Sequence, residues 1–237
     1  MIAFPAIDLR NGRAVQLVGG KPGTERVSVR NPVALAKLWT QLGFRALHVI
    51  DLDAALGHGD NRALVREILA SVQVPVQVGG GVRDDDIAQE YLEAGAARVI
   101  VGTRAIEDRL WLDRLARAYP RRIAVAADIR NGRVVTHGWT AASALTADAF
   151  VDSLAATPLA AVLVTDVGRE GRMTGADVQR FSAIADISTH PLFAAGGIAG
   201  IDDLRALART RVAGAILGMA LYTGALDART VAQEFSV

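Results

Sequence analysis

The motif DLRNGRAV at positions 8–15 returns later in the chain as DIRNGRVV at positions 128–135. The two copies agree at six of their eight positions, and they begin 120 residues apart in a chain of 237 residues. Because this offset is close to half of the chain length, we predict that the protein consists of two copies of one half. The halves span about 1–120 and 121–237 and together form a single domain.

Short apolar runs alternate with longer segments of helical periodicity along the whole chain. Apolar strands that alternate with helices are typical of a parallel sheet covered by helices. Eight such units predict an α/β protein with one closed (β/α)8 barrel, the TIM-barrel fold. The predicted strands lie at 2–8, 46–52, 74–81, 97–103, 122–129, 160–167, 190–198 and 213–219. The predicted helices lie at 31–43, 61–72, 83–95, 107–119, 145–157, 174–186, 200–210 and 227–235.

The composition excludes several classes of protein. The net charge is +1, which gives no reason to expect a nucleic-acid partner or binding to a membrane surface. The chain contains no cysteine, which excludes disulfides, thiolate nucleophiles and cysteine-based metal sites. The first residues lack the features of a signal peptide, and no uncharged apolar run reaches the roughly 20 residues of a membrane helix. We therefore expect a cytoplasmic protein.

Two acids of the repeated motif end the first and the fifth predicted strands. In an eight-stranded barrel these strands lie opposite each other, so Asp8 and Asp128 face each other across the mouth. Two carboxyl groups in unlike surroundings can serve as general acid and general base. The structural alternative is that each acid only accepts hydrogen bonds from the backbone where its strand ends. The identical pair at opposed strand ends favours the catalytic interpretation.

Glycines also come in opposed pairs at strand ends. Glycine lets backbone N–H groups approach an oxyanion closely, and loops after the last two strands of this fold frequently bind phosphate. We therefore predict two phosphate sites, although tight turns also use glycine. The residues concerned are Gly80, Gly81, Gly102 and Thr103 in the first half and Gly196, Gly197, Gly218 and Met219 in the second.

Further side chains are candidates for contact with a substrate. Arg83 can reach a phosphate or cover a helix end, and Trp139 can stack on a planar heterocycle or pack on its own loop. Thr165 aligns with Asp51 in the repeat, and either can orient a neighbouring acid. His48 is a candidate orienting residue, although a lone strand histidine is more often a core residue. The histidines show no metal spacing, and we expect neither metal nor cofactor.

Several stretches together resemble the phosphoribosylformimino-aminoimidazole carboxamide ribotide isomerase family of histidine biosynthesis. The likeness covers essentially the whole chain and includes PAIDLRNGRAVQLVGG (5–20), VPVQVGGGVR (74–83), DIRNGRVVTHGW (128–139) and VTDVGREG (164–171). The resemblance implies an enzyme that opens a ribose ring and converts an aminoaldose to an aminoketose, an Amadori rearrangement. It also implies a small ribotide substrate with a phosphate at each end. We expect the protein to act as a monomer.

The resemblance assigns roles to individual residues. It implies that Asp8 is the general base, that Asp128 is the general acid, and that Thr165 orients Asp128. Trp139 corresponds to a tryptophan that stacks on the substrate, and Arg83 to an arginine after the three glycines. The phosphate loops correspond to Gly19, Gly20, Gly81, Gly102, Thr103, Gly197 and Gly218.

Three positions depart from the family pattern. Met219 stands where Arg or Lys is usual, which removes a side-chain contribution to one phosphate site. Glu170 stands where Asp is usual, and Gln16 where Arg is frequent. Because both acids of the repeated motif remain, we expect an active enzyme.

Three alternatives remain open. The cyclase subunit of imidazole glycerol phosphate synthase has the same doubled barrel, but it usually begins with a PCLD-like motif and has a lysine in its first loop. A bifunctional isomerase that also acts on phosphoribosyl anthranilate tends to have Ser-Gly-Gly at 79–81 and an arginine near His137. A barrel that binds a ligand without catalysis needs the glycines but not both acids.

Overall fold

The computed structural model describes residues 1–21 and 23–236. Eight parallel strands form a closed ring in which each strand pairs with the next and the last pairs with the first, which confirms the predicted (β/α)8 barrel. The barrel strands are β1 (Ile2–Arg10), β4 (Leu47–Asp51), β5 (Val76–Gly79), β6 (Arg98–Val101), β7 (Ile123–Arg130), β10 (Ala161–Asp166), β11 (Leu192–Ala195) and β12 (Val212–Leu217).

Alternation of side chains in each strand builds two separate layers of core. In β1, Ile7 and Leu9 pack in the large cluster between the strands and the helices. Phe4 and Ala6 belong to a smaller cluster inside the barrel. Because successive side chains of a strand point to opposite faces, Asp8 points to the barrel interior, above Ala6.

Eight helices cover the barrel at the predicted places. They are α1 (Pro32–Gln41), α3 (Arg62–Ser71), α4 (Asp85–Glu93), α6 (Arg109–Ala118), α7 (Ala147–Ser153), α8 (Val178–Ile187), α9 (Ile201–Ala208) and α11 (Ala228–Glu234). Side-chain caps determine where several of them begin, as Asn31 does by accepting a 2.9 Å hydrogen bond from Ala34 N–H. The predicted helix at 174–186 begins later than expected, because the side chain of Asp177 accepts from Arg180 N–H and caps α8 there.

Short elements that the sequence did not predict lie in the loops at the carboxyl ends of the strands. Three are helices of about one turn: α2 (Leu52–Leu56), α5 (Thr103–Glu107) and α10 (Met219–Tyr222). The others are strands that extend the loops after β1 and β7: β2 (Arg13–Gln16) and β3 (Val27–Val29), then β8 (Arg133–Thr136) and β9 (Ala141–Thr146). Both halves therefore carry an antiparallel extension at the same place.

The repeated motif forms the turn of each extension. Asn11 and Gly12 have φ angles of 48° and 71°, and Asn131 and Gly132 have φ angles of 51° and 75°. Two successive residues with positive φ are typical of the tight Asn-Gly hairpin turn. The letters NG of the motif thus bend the chain back after each acid.

Equivalent contacts recur in the two halves. A Cβ at Gly80 would collide with the backbone of Asp51, and a Cβ at Gly196 would collide with the backbone of Asp166. Asp51 therefore corresponds to Asp166, and its predicted alignment with Thr165 is wrong by one residue. The recurrence supports the duplication of half-barrels, which stays a prediction.

The end of the barrel opposite to these loops is filled by large side chains. The guanidinium of Arg98 lies 5.6 Å from the ring centre of Phe4 and 5.2 Å from that of Phe193. The two rings contact each other with their centres 4.9 Å apart. Among the residues that the structure describes, we find no helix with the length and apolar character needed to cross a membrane.

Candidate active site

A cavity of about 660 Å³ opens at the carboxyl ends of the barrel strands, where enzymes with this fold hold their active sites. Asp8 and Asp128 both line it. Because β1 and β7 lie four steps apart in the ring of eight strands, the two acids approach from opposite walls. The predicted site residues that line the cavity are Asp8, Gly20, His48, Gly80, Gly81, Arg83, Gly102, Thr103, Asp128, Trp139, Thr165, Gly196, Gly197, Gly218 and Met219.

Asp8 has a carboxyl group that is poised between its two protonation states. Burial raises its pKa from 3.8 to about 7, and a hydrogen bond from Gln16 acts in the opposite direction. Gln16 Nε2 lies 3.4 Å from Asp8 Oδ2. At neutral pH this group can therefore accept or release a proton, as general acid–base catalysis requires.

Asp128 has different surroundings from Asp8. Burial raises its pKa, while hydrogen bonds from Thr165 and from Trp139 lower it. Trp139 Nε1 donates to Asp128 Oδ2 over 2.7 Å, and Thr165 is the direct neighbour of Asp128 in the adjacent strand. The two acids therefore have unlike hydrogen-bond partners, although the motif that carries them is nearly the same.

Glu170 adds a third carboxyl group to the cavity. Its pKa is raised from 4.5 to about 8. Burial is the largest cause of this rise, and the negative charges of Asp8, Asp128 and Asp166 contribute to it. The sequence marked this position only as a departure from the family pattern and gave it no role in proton transfer. The sequence could not indicate that the loop after β10 places Glu170 close to both acids of the repeat.

Glycines of the two halves adopt matching conformations at the two predicted phosphate sites. Gly80 and Gly196 have φ angles of 97° and 98°. Gly102 and Gly218, which precede α5 and α10, have φ and ψ of −114° and −112° and of −105° and −109°. The first site is formed by the loops after β5 and β6, and the second by the loops after β11 and β12. The matching backbone geometry of the two sites is suited to binding two similar anions.

The two sites differ in charge. Arg83 and Arg104 line the cavity at the first site, where Arg104 also donates a hydrogen bond to the carbonyl of Arg83. At the second site Met219 takes the place after the glycine and is 4% exposed. No cationic side chain from the described residues lines the cavity there. Arg169 lies against Gly197, but its guanidinium contacts the carbonyl of Gly175 and the carboxylate of Asp166. We therefore expect an anion at the second site to depend more on backbone N–H groups than an anion at the first.

The loops after β1, β7 and β10 meet over the mouth of the cavity. A Cβ at Gly20 would collide with the indole ring of Trp139, so that the ring lies against this glycine. Gly19 lies outside the cavity wall, contrary to its predicted place in a phosphate loop. Its N–H donates a 3.0 Å hydrogen bond to the carbonyl of Glu170, because the chain turns there toward the loop after β10.

Asp51 also lies outside the cavity, which corrects its predicted role in orienting an acid. It faces the opposite side of β4 from His48 and Ile50. Its carboxylate caps α2 at Ala54 N–H and accepts hydrogen bonds from the backbone and the side chain of Asn61, at 2.5 and 2.7 Å. Asp51 therefore orders the loop between β4 and α3.

His48 lines the lower part of the cavity in its neutral form. Burial, and then the charge of Arg98, lowers its pKa to about 3. Its Nδ1 lies 2.9 Å from Nε2 of Gln77, which can only donate. Within residues 1–21 and 23–236 no group of three or more His, Asp or Glu side chains is arranged to hold a metal ion.

Comparisons with known proteins agree with this geometry. The family described as "Histidine biosynthesis protein" matches residues 2–227. A protein of Gemmatimonas aurantiaca is 49% identical over 235 residues, which are 99% of each chain. A protein of Myxococcus xanthus is 48% identical over 237 residues, the whole of both chains. Both are named 1-(5-phosphoribosyl)-5-((5-phosphoribosylamino)methylideneamino) imidazole-4-carboxamide isomerase. A protein of Methanothermobacter thermautotrophicus with the same name is 40% identical over 228 residues, 96% of this chain and 95% of its own.

Proposed function

Because this chain belongs to the histidine biosynthesis protein family, we propose that its cavity converts an aminoaldose ribotide to the aminoketose, with Asp8 and Asp128 transferring the protons. The protein is an isomerase of histidine biosynthesis that acts on a small molecule. One observation carries the assignment of the residues. The two acids of the repeated motif line opposite walls of one cavity in unlike surroundings.

Formation of the enol intermediate needs two different proton transfers, and the ketose then forms as C1 gains a proton and the C2 hydroxyl loses one. Opening the ribose ring needs a proton on the ring oxygen, and the next step needs a base that takes the proton from the neighbouring carbon, C2. One carboxyl group is not protonated and ionised at the same moment, and so two groups are required. Asp128 gives its proton to the ring oxygen. Asp8, whose pKa of about 7 leaves much of it ionised at neutral pH, takes the proton from C2.

Trp139 links binding of the substrate to the protonation of Asp128. In the free protein its N–H group bonds to Asp128 Oδ2, which favours the ionised acid. For the indole to stack on the substrate, this hydrogen bond has to break. The hydrogen bond from Thr165 is then the remaining interaction that lowers the pKa of Asp128 against the effect of burial, and this pKa therefore rises. The acid therefore becomes protonated when a substrate is present to receive the proton.

The two glycine sites hold the two ends of the substrate. A ribotide with a phosphate at each end can span the cavity between the loops after β5 and β6 and those after β11 and β12. Arg83 and Arg104 add charge at the first site. The reacting ribose then lies between the opposed acids, and holding both ends supplies the orientation on which rate enhancement depends.

The named relatives favour the isomerase over the cyclase alternative. The packing of Phe4, Arg98 and Phe193 inside the barrel does not separate the two, because side chains fill the interior of this fold in general.

Surface properties favour a monomer in the cytoplasm without a nucleic-acid or membrane partner. The net charge of +1 supplies no electrostatic attraction to a polyanion or an anionic membrane. The exposed large apolar residues of the described chain lie on four different elements, α1, α6, β9 and α8, whereas a stable homodimer buries a broad apolar patch. They are Leu38, Leu110, Leu145 and Ile187.

One assay tests the function. The purified protein is given the aminoaldose ribotide without ammonia or a glutaminase, and formation of the ketose is followed. We expect turnover by the parent protein and its loss in Asp128→Asn. Parallel assays cover the alternatives: turnover of the ketose with ammonia indicates the cyclase, and turnover of phosphoribosyl anthranilate indicates the bifunctional enzyme. Ribotide binding without turnover in the parent indicates a binding barrel.

A further inference from the structure

Gln16 bridges Asp8 and the loop after β12. It is the last residue of β2 and is 2% exposed. Its Nε2 donates a hydrogen bond to Asp8 Oδ2 over 3.4 Å. Its Oε1 lies on Gly218, so close that a Cβ at this glycine would collide with it. The amide is therefore packed against Gly218 on one side while its other end contacts the acid of β1.

The ionised form of Asp8 has one source of support within the described residues. The titratable groups that face Asp8 from the neighbouring elements are Asp128 of β7, Glu170 after β10, Tyr222 of α10 and His48 of β4. The first three carry negative charge when ionised, and the neutral His48 carries none. Burial also disfavours the carboxylate. The hydrogen bond from Gln16 alone acts in its favour.

We propose that Gln16, packed between Gly218 and Asp8, is a positioning residue that keeps the Asp8 carboxylate ionised and aimed at the substrate proton. The proposal rests on the proposed function, in which Asp8 is the base. The neutral amide of Gln16 differs in chemistry from the arginine that is frequent at this position in the family. An arginine forms an ion pair that holds a carboxylate firmly ionised, whereas a neutral amide leaves Asp8 able to exchange its proton near neutral pH.

The test replaces Gln16 and leaves the rest of the chain unchanged. Gln16→Met removes the hydrogen bond at similar volume, and Gln16→Arg replaces it with an ion pair. Gln77→Met is the matched control, because Gln77 is also buried in the barrel but contacts His48 rather than a carboxylate. For each protein kcat/KM is measured against pH. In the protein without ligand, the titration of the Asp8 carboxyl carbon is followed by NMR, with Asp8→Asn to assign the signal.

We expect the acidic limb of kcat/KM and the Asp8 titration to move up by about half a pH unit or more in Gln16→Met. Both should move down in Gln16→Arg and stay in place in Gln77→Met. Turnover of Gln16→Met at high pH should recover to within about threefold of the parent, because a base that is fully ionised no longer needs the hydrogen bond.

An unmoved Asp8 titration in Gln16→Met overturns the proposal, as does an equal shift in Gln77→Met. If Gln16→Arg does not fold, the methionine variant still decides. The NMR titration needs no turnover, and so it separates this proposal from the proposed function. A parent protein without isomerase activity defeats the function, whereas an Asp8 titration that ignores Gln16 defeats the positioning role alone.

Discussion

Trp139 Nε1 donates a 2.7 Å hydrogen bond to Asp128 Oδ2, and the same indole ring lies against Gly20 on the other side of the cavity mouth. Trp139 has a φ of 73°, a backbone conformation that costs on the order of 1–3 kcal/mol in a bulky residue. The ring lines the cavity beside Asp128. In the proposed function the indole stacks on the ribotide, and we therefore expect Trp139 to move away from Asp128 when the ribotide binds.

This movement predicts a change in tryptophan fluorescence when the ribotide binds. The chain has three tryptophans, and Trp39 and Trp111 are 5% and 1% exposed within the core. We expect ligand titration to change the emission of the parent protein and of Trp111→Phe, but not that of Trp139→Phe. A ligand-dependent change that persists undiminished in Trp139→Phe would show that the indole stays in place.

The two acids of the motif should be needed for chemistry rather than for binding. Asp8→Asn and Asp128→Asn keep the shape of the side chain but remove proton transfer. General acid or base catalysis contributes typically 10²–10⁴-fold, so we expect each change to lower kcat at least about 100-fold. The affinity for the ribotide should change little, because the glycine loops hold the phosphates.

Isotope exchange separates the roles of the two acids. Asp8→Asn should block exchange of the C2 hydrogen with deuterated solvent, since Asp8 is the proposed base. Asp51→Asn is the control, because this carboxylate lies outside the cavity and caps α2. It should lower thermal stability while leaving exchange intact. Normal exchange in Asp8→Asn would contradict the assignment of Asp8 as the base.

Glu170 should make the protein less stable as the pH rises. Its pKa is about 8 in the folded protein, above its ordinary value of 4.5, so the folded state holds a proton that the unfolded state has lost between these values. The free energy of unfolding therefore falls as the pH rises from about 4.5 to about 8. Asp8 adds a slope of the same sign between about 4 and about 7.

Glu170→Gln removes this slope. One pKa unit corresponds to about 1.4 kcal/mol, and so at pH 8.5 we expect the variant to melt at least about 2–4 °C above the parent. At pH 4.5 the two should melt together. Glu67→Gln, on the exposed face of α3, serves as the control and should show no such pH-dependent gain. A parallel offset at every pH would mean that folding does not raise the pKa of Glu170.

The first anion site should fill before the second. Arg83 and Arg104 lie only at the first, and cationic side chains strengthen anion binding. In crystals soaked at increasing sulfate concentration, we expect density near Gly81 and Gly102 before density near Gly197 and Gly218. Arg83→Met should reduce this difference. Arg66→Met, which removes an exposed arginine of α3, should not. Equal filling in the parent would show that the backbone alone binds the anions.

The barrel could be predicted from the sequence because its strands and helices carry strong apolar patterns and occur eight times. The extensions carry no such pattern. β3 has three residues, too few for an alternation to be recognised, and β9 reads AASALT, which does not alternate between apolar and polar residues. The Asn-Gly pairs were visible in the motif, but a two-residue turn signal needs recognisable strands on both sides.

The acids of the site could be predicted because the repeat places them at opposed strand ends. Their surroundings could not, since Gln16, Trp139 and Glu170 reach them from loops whose paths depend on tertiary contacts. Asp51 shows the limit of aligning the two halves by their sequences. A displacement of one residue in a strand turns a side chain to the other face, and Asp51 therefore lies away from the cavity.

Arg98, packed against Phe4 and Phe193, closes one end of the barrel over the part of the chain that the structure describes. Substrate and product must then use the same entrance in turn. Because substrate and product share one cavity, we expect the product to inhibit competitively and increasingly as it accumulates. The speed of the enzyme in a cell accordingly depends on how quickly the next enzyme removes the ketose, as well as on the chemistry between the two acids.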